Sequence, residues 1–198
     1  MPSAAILAGG RASRFGGRDK SALTVGGRSI LDRQLTELAA LCDDVMLVIG
    51  ERAPADLPDG LRLVRDRVPA CGPLGGLDAA LAAARHDTLV LVACDMPFIN
   101  TRLLAHLLAL TSEADAIVPR TERGYHPLCA AYTRACQPAI AERLDRRQLR
   151  MVDFLADVRV RVVCGDELAA LGDHHRLLAN VNTPAEYDGL GPDIGHEL

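Results

Sequence analysis

Glycines and cations crowd one short stretch near the amino terminus, Leu7-Ala8-Gly9-Gly10-Arg11-Ala12-Ser13-Arg14-Phe15-Gly16-Gly17-Arg18-Asp19-Lys20, directly behind the apolar run Ala4-Ala5-Ile6-Leu7. Glycine lets the backbone turn tightly and lets a ligand approach the main chain. Successive exposed N–H groups in such a turn form an anion-binding concavity. Arg11, Arg14, Arg18 and Lys20 add side-chain charge to the same turns, so the chemistry on offer is phosphate binding. Lys20 is the only lysine in a chain with 22 Lys+Arg. A compact ammonium on a flexible stem acts as a point charge for phosphate oxygens, which a planar guanidinium does not reproduce.

Spacing excludes two common phosphate loops. A P-loop requires glycine directly before its lysine, whereas Asp19 precedes Lys20. The dinucleotide fingerprint requires glycines at i, i+2 and i+5, which Gly9-Gly10 followed by Gly16-Gly17 does not provide. Two carboxylates add to the picture. Asp95 closes the apolar run Thr88–Ala93 in Cys94-Asp95-Met96-Pro97, a lone strand-end carboxylate of the kind that holds Mg²⁺ beside phosphate oxygens. Asp66 opens Asp66-Arg67-Val68-Pro69-Ala70-Cys71-Gly72-Pro73-Leu74-Gly75-Gly76, read as a second Gly/Pro loop. A carboxylate there can accept hydrogen bonds from both N1–H and the exocyclic amine of guanine, a pair cytosine lacks.

The pattern L-A-G-G-x-x-x-R-F-G-G-x-D-K resembles the nucleotide-binding signature of the molybdenum cofactor guanylyltransferases, within the nucleotidyltransferase superfamily. The resemblance spans the chain from Leu7 to about Glu186. It implies a Mg²⁺-dependent transfer of GMP from GTP to the terminal phosphate of molybdopterin, with pyrophosphate released. It assigns Leu7, Ala8, Gly9, Gly10, Lys20, Asp66, Gly75 and Asp95 to the nucleotide, Arg14, Lys20 and Asp95 to catalysis, and Asp95 to the metal. On the acceptor side it places His126, Arg147, Asn180 and Asn182, the last two within Asn180-Val181-Asn182-Thr183-Pro184. It also implies contact with molybdenum insertion proteins. One position departs from the family: Ile49-Gly50 stands where a small polar residue is common, so any ribose or base contact from there is main-chain. The alternatives are cytidylyl or other nucleotidyl transfer to molybdopterin or a small phosphorylated acceptor, and a nucleotide-binding module without turnover. His174-His175 matches no pattern and receives no role.

Composition bounds the rest. A chain of 198 residues with 49% hydrophobic and 24% charged residues reads as one globular domain over 1–188, followed by a mobile Gly/Pro tail at 189–198. Aromatics are only 3%, so stacking platforms for single-stranded nucleic acid are scarce and no nucleic-acid partner is expected. Net charge is −4, so an anion site must be local rather than part of a global field. No leader-like or bilayer-spanning apolar run occurs, so a cytoplasmic protein without a membrane partner is expected. The six cysteines follow no metal or disulfide spacing and read as reduced, mostly buried thiols.

The elements that must position these residues follow from periodicity. Strands are expected at Ala4–Leu7, Asp44–Gly50, Leu61–Arg65, Thr88–Ala93, Ala114–Val118, Leu128–Tyr132 and Arg159–Val163. Helices are expected from Ile30 behind an N-cap at Ser29, over Leu77–Arg85, Arg102–Leu110 and Thr133–Leu144, near Leu149–Leu155, and after a capping box at Thr183–Glu186. Alternating strands and helices predict a three-layer, Rossmann-like α/β fold with a mainly parallel sheet, which the resemblance implies is of the nucleotidyltransferase type. Ligands in such a sheet bind at the carboxyl ends of the strands.

Overall fold

Side chains along the central strands alternate between two separate cores, one on each face of a single sheet. The computed structural model describes residues 1–8, 24–50 and 57–181. In chain order, β1 (Ser3–Ala8) is followed by a small hairpin, β2 (Thr24–Val25) and β3 (Arg28–Ser29). Its two turn residues, Gly26 and Gly27, both have positive φ, as a tight hairpin turn of primed type requires. Next come α1 (Ile30–Ala39), β4 (Asp44–Ile49), β5 (Arg62–Arg65), α2 (Gly72–Ala83), β6 (Thr88–Ala93) and α3 (Thr101–Ala109). The second half comprises β7 (Ala116–Thr121), β8 (Gly124–Tyr125), β9 (Cys129–Thr133), α4 (Gln137–Asp145), α5 (Met151–Phe154), β10 (Val160–Val163), α6 (Gly165–Ala169) and α7 (His174–Leu177).

Sheet order is β10-β7-β9-β6-β1-β4-β5, with β8 paired to β7. The β6-β1-β4-β5 block is parallel, and β9 runs antiparallel to both of its neighbours. Ala4 and Ile6 of β1, Leu47 and Ile49 of β4, and Val90 and Val92 of β6 face a core closed by Leu31 and Leu38 of α1 and Leu103, Leu104 and Leu107 of α3. Their alternates Ala5, Leu7, Met46, Val48, Leu89 and Leu91 face Leu74, Leu77 and Leu81 of α2 with Ile140, Leu144 and Phe154 beyond. Strands buried on both faces explain why β6 reads as an unbroken apolar run. The three-layer architecture is the one expected.

After β1 the chain builds outward through β4 to β5, then returns across the sheet to β6 on the other side of β1. Right-handed crossovers then place α1 and α2 on opposite faces, and the strand order reverses between β1 and β6. The opposite, amino-terminal edge is clamped by a buried carboxylate. Asp44 accepts from Ser3 Oγ (2.7 Å), the Arg85 backbone N–H (2.9 Å) and Arg62 Nη1 (2.6 Å). Burial opposes its ionisation, but these hydrogen bonds and the Arg62 charge outweigh it and hold the carboxyl below its usual range.

Helix starts follow local chemistry. The Ser29 side chain accepts from Asp32 N–H (3.0 Å) and that of Asn100 from Leu103 N–H (2.8 Å). One expectation is corrected here. Gly75 and Gly76 are not in a loop but inside the first turns of α2, which begins at Gly72 with proline directly after it. A side chain at Gly75 would put a Cβ 2.7 Å from Cys71 Cβ, so glycine is required by the fit of the helix start against the turn that enters it. All six cysteines are free, and burial pushes the thiols of Cys42, Cys129 and Cys136 up to about 12. Among the described residues no helix is long and apolar enough to cross a membrane.

Candidate functional site

Parallel strands end on one edge, so the segments following β1, β4, β5 and β6 are brought together there whatever their distance in sequence. At the centre is the carboxyl end of β1. Leu7 pairs with Ala93 of β6 on one side and Val48 of β4 on the other, and its carbonyl accepts from Cys94 N–H (3.1 Å). Ala8 is the last described residue before the glycine-rich stretch. Gly9, Gly10, Arg14 and Lys20 lie outside the described residues, so their placement rests on the sequence. The strand leading into them ends at the point where the sheet order reverses, the usual ligand crevice of an open α/β sheet.

Asp95 flanks this point on the β6 side. Its segment is fixed at three points: Met96 N–H donates to Ala93 O (3.3 Å), Ala93 N–H to Leu128 O (2.8 Å), and Val181 N–H to Asp95 O (2.8 Å). A further residue, to which the sequence reading gave no role, anchors it. Gln34 of α1 is fully buried, and its Nε2 donates to both Ala93 O (2.7 Å) and Met96 O (3.0 Å), the carbonyls on either side of Asp95. Both partners are acceptors, so the amide must present its NH₂ to them. Its Oε1 is buried and has no hydrogen-bond partner among the described residues. A polar residue on the inner face of an otherwise apolar amphipathic helix was the one signal in the sequence. Replacing Gln34 by leucine removes the side-chain donor from both carbonyls, and although Ala93 O keeps the bond from Met96 N–H, Met96 O loses its Gln34 donor, at a cost of about 1–3 kcal/mol. The expected result is a lower melting temperature together with about a tenfold fall in kcat at temperatures where the variant remains folded. A purely structural role would lower the melting temperature alone.

On the other side, β4 ends at Ile49 and Gly50, and Asp66 follows β5 with its N–H donating to Ile49 O (3.2 Å). Among the described residues, a Cβ built on Gly50 meets nothing within 4 Å, which is consistent with a backbone contact in place of a polar side chain. The Asp66 carboxylate leans over the start of α2: a Cβ on Gly76 would lie 3.8 Å from Asp66 Oδ1 and 2.9 Å from Leu7 Cδ2. Burial raises the Asp66 pKa. At about 4.8 Å per strand, the ends of β6 and β5 lie roughly 14 Å apart, with β1 and β4 between them. Asp95 and Asp66 therefore bracket the entry to the glycine-rich stretch.

The acceptor-side residues divide. Double antiparallel pairing through β9 points β7 the same way as β6, so the turn after β7 reaches the same edge. His126 sits there, its Nε2 2.9 Å from Thr121 Oγ1 and its N–H bonded to Pro119 O (2.9 Å). Burial, then the neighbouring Arg123 charge, lowers its pKa and favours the neutral ring. Asn180 is exposed directly before Val181, the residue tied to Asp95. Asn182 lies outside the described residues. Arg147 has positive φ, and its Nη1 approaches Cys71 Sγ (3.4 Å), at the end of the Asp66–Cys71 segment. A carboxylate and backbone carbonyl oxygens are hard donors of the kind Mg²⁺ takes, so the donor chemistry at Asp95 is compatible with that ion.

Residues 4–161 match the family described as "MobA-like NTP transferase domain". The chain is 37% identical over 181 residues to a probable molybdenum cofactor guanylyltransferase of Pelotomaculum thermopropionicum, covering 91% of this chain and 87% of that one. It is 31% identical to a molybdenum cofactor guanylyltransferase of Desulfosudis oleivorans, covering 92% and 91%. Its fold is similar to that of molybdopterin-guanine dinucleotide biosynthesis protein A from Archaeoglobus fulgidus, with a TM-score of 0.76 at 20% identity over 94% of this chain and 95% of that one. The 2-C-methyl-D-erythritol 4-phosphate cytidylyltransferase of Thermus thermophilus shares the fold at a TM-score of 0.65 and 16% identity, over 95% and 96%.

Proposed function

Because this chain belongs to the MobA-like NTP transferase family, and within it to the molybdenum cofactor guanylyltransferases, we propose that it transfers GMP from GTP to molybdopterin in the way its own residues dictate. The observation that carries this reading is the convergence of the β1 end, Asp66 and Asp95 on one sheet edge at the point where strand order reverses. GTP lies along that edge. Its guanine is directed toward Asp66, with Gly50 and the Gly75-Gly76 helix start around it, and its triphosphate is gripped by Gly9, Gly10, Arg14 and Lys20. His126, Asn180 and Asn182 hold the pterin phosphate beside Asp95. Arg147, seated against Cys71, braces the base-side segment.

In the reaction a terminal phosphate oxygen of molybdopterin forms a bond to the α-phosphorus of GTP, and the bond from that phosphorus to the bridging oxygen of the β-phosphate breaks in line. Pyrophosphate leaves with the bonding electrons. A phosphate monoester with a second pKa of about 6 is already mostly dianionic at neutral pH, so no general base is needed. The thiols of Cys42, Cys129 and Cys136, kept protonated by burial, agree with that. What the protein supplies is alignment and charge neutralisation. Arg14 and Lys20 take up charge on the leaving group, and Asp95 would hold Mg²⁺, which would supply charge neutralisation to the phosphates. Gln34 and Val181 keep Asp95 in place. Contact with molybdenum insertion proteins, which deliver or receive the pterin, belongs to the same reading.

Pyrophosphate release measured with GTP or CTP, each with and without molybdopterin, tests it. Release is expected only with GTP, Mg²⁺ and molybdopterin together. Preference for CTP would move the activity to cytidylyl transfer, release independent of molybdopterin would move it to another acceptor, and binding without turnover would make the chain a nucleotide-binding module.

A further inference from the structure

His174-His175 carries no motif in the sequence, and the nucleotidyl-transfer site makes no use of it. Fold packing gives it a partner. The two histidines are the first residues of α7, whose start is capped by Asp173: its Oδ1 accepts from His175 N–H (3.1 Å) and Arg176 N–H (3.3 Å). This cap fixes the backbone from which both rings project, and the rings lie close together with centroids 4.3 Å apart. Facing them is Glu122, at the turn between β7 and β8, whose Oε1 is 3.4 Å from His175 Nδ1. One ligand atom from each of Glu122, His174 and His175 lies within 4.8 Å of the other two.

Two imidazoles and a carboxylate are a donor set for a borderline divalent ion rather than for Mg²⁺, which prefers oxygen alone. Ligand atoms about 2.0–2.2 Å from a tetrahedral ion stand roughly 3.3–3.6 Å apart. The present arrangement needs to contract by little more than 1 Å, which rotation of the exposed Glu122 and His175 side chains toward the half-buried His174 provides. Nearby positive charge is partly diverted. Arg176 lies over the Phe98 ring, 4.4 Å from its centroid, and Arg123 only grazes Glu122 at 4.0 Å. We propose that Glu122, His174 and His175 form a binding site for a zinc-class divalent cation (Zn²⁺, Co²⁺ or Ni²⁺), separate from the nucleotide site, that ties the β7–β8 turn to α7.

The tie matters because each of these elements leads to the acceptor side. The β7–β8 turn is followed by His126, whose ring rests on Thr121, the residue before Glu122. Helix α7 runs on to Asn180 and to Val181, whose N–H holds Asp95 O. An ion at the Glu122 cluster cross-links two segments that the Glu122–His175 contact already brings together. Glu122 lies far in the chain from the adjacent His174 and His175, so no sequence spacing announces the site.

The test uses the full chain, stripped of metal and kept reduced, with Mg²⁺ present to saturate hard-oxygen sites. Calorimetric titration with Zn²⁺ and Co²⁺ is expected to show one saturable ion per chain. The Co²⁺ complex is expected to show visible d–d bands without the near-ultraviolet charge-transfer band of thiolate ligation. Glu122→Gln and the double variant His174→Ala/His175→Ala should each weaken binding at least about tenfold. His86→Ala, which alters a histidine elsewhere, should bind as the parent does, and thermal melts without metal check that each variant folds. The proposal is overturned if the parent binds no ion under these conditions, if a thiolate band appears, or if loss of both histidines leaves the affinity unchanged. None of these readouts depends on turnover, so they stand apart from the fate of the guanylyl-transfer reading.

Discussion

Asp95→Asn is expected to fold normally and to release pyrophosphate about a thousandfold more slowly than the parent, a loss of about 4 kcal/mol of transition-state stabilisation. The substitution preserves shape and removes charge. The backbone around Asp95 is held by groups the change does not touch: Gln34 Nε2 on the two flanking carbonyls and Val181 N–H on the Asp95 carbonyl. Geometry is therefore retained, and what disappears is the anionic oxygen that would hold a hard cation against the phosphates. An amide oxygen is a far weaker ligand, so the concentration of Mg²⁺ giving half-maximal rate should rise as kcat falls. Rates measured over a series of Mg²⁺ concentrations, with GTP affinity determined separately, separate the two effects. A variant that reached the parent rate at the parent's Mg²⁺ requirement would remove Asp95 from the reaction.

The second large effect is expected from a substitution usually regarded as conservative. Lys20→Arg keeps the charge and should still cost about a hundredfold or more in kcat, close to the loss caused by Lys20→Ala. The reason is local. A guanidinium is larger and planar and forms paired hydrogen bonds in one plane, whereas a lysine ammonium meets phosphate oxygens as a compact point charge. In a chain that otherwise uses arginine for every cation of this kind, lysine at this one position is what such a contact demands. Single-turnover rates for both variants provide the check. If Lys20→Arg kept the parent's rate, charge alone would suffice and the geometric argument would fail. Lys20 lies outside the described residues, so this expectation comes from the sequence.

Most of the fold was legible because its signals are local. Ser29 and Asn100 cap the helices their side-chain chemistry indicates, and the doubly buried strand β6 appears as a bare apolar run. The elements missed were those whose identity depends on distant partners. Gly75-Gly76 looks like loop punctuation, yet it sits inside α2, because the helix start needs room for Cys71 and Leu7 more than it needs helix propensity. β7 runs through Pro119, where no sequence rule would extend a strand. α6 and α7 are each a single short turn or slightly more, too brief for periodicity to register.

The candidate site divides along the same line. The types and spacing of Gly9, Gly10, Arg14, Lys20, Asp66 and Asp95 are what raise the expectation of phosphate, metal and base chemistry, since each motif is short and is read from neighbouring residues. The sequence also determined that the loops bearing them follow strands. Only the tertiary structure decided that a buried amide at Gln34 would hold the Asp95 segment, that Arg147 would lean on Cys71, and that Glu122 would meet His174 and His175. Those pairings cross tens of residues and depend on strand order and register, which are set by how two cores close around one sheet and leave no trace in local pattern.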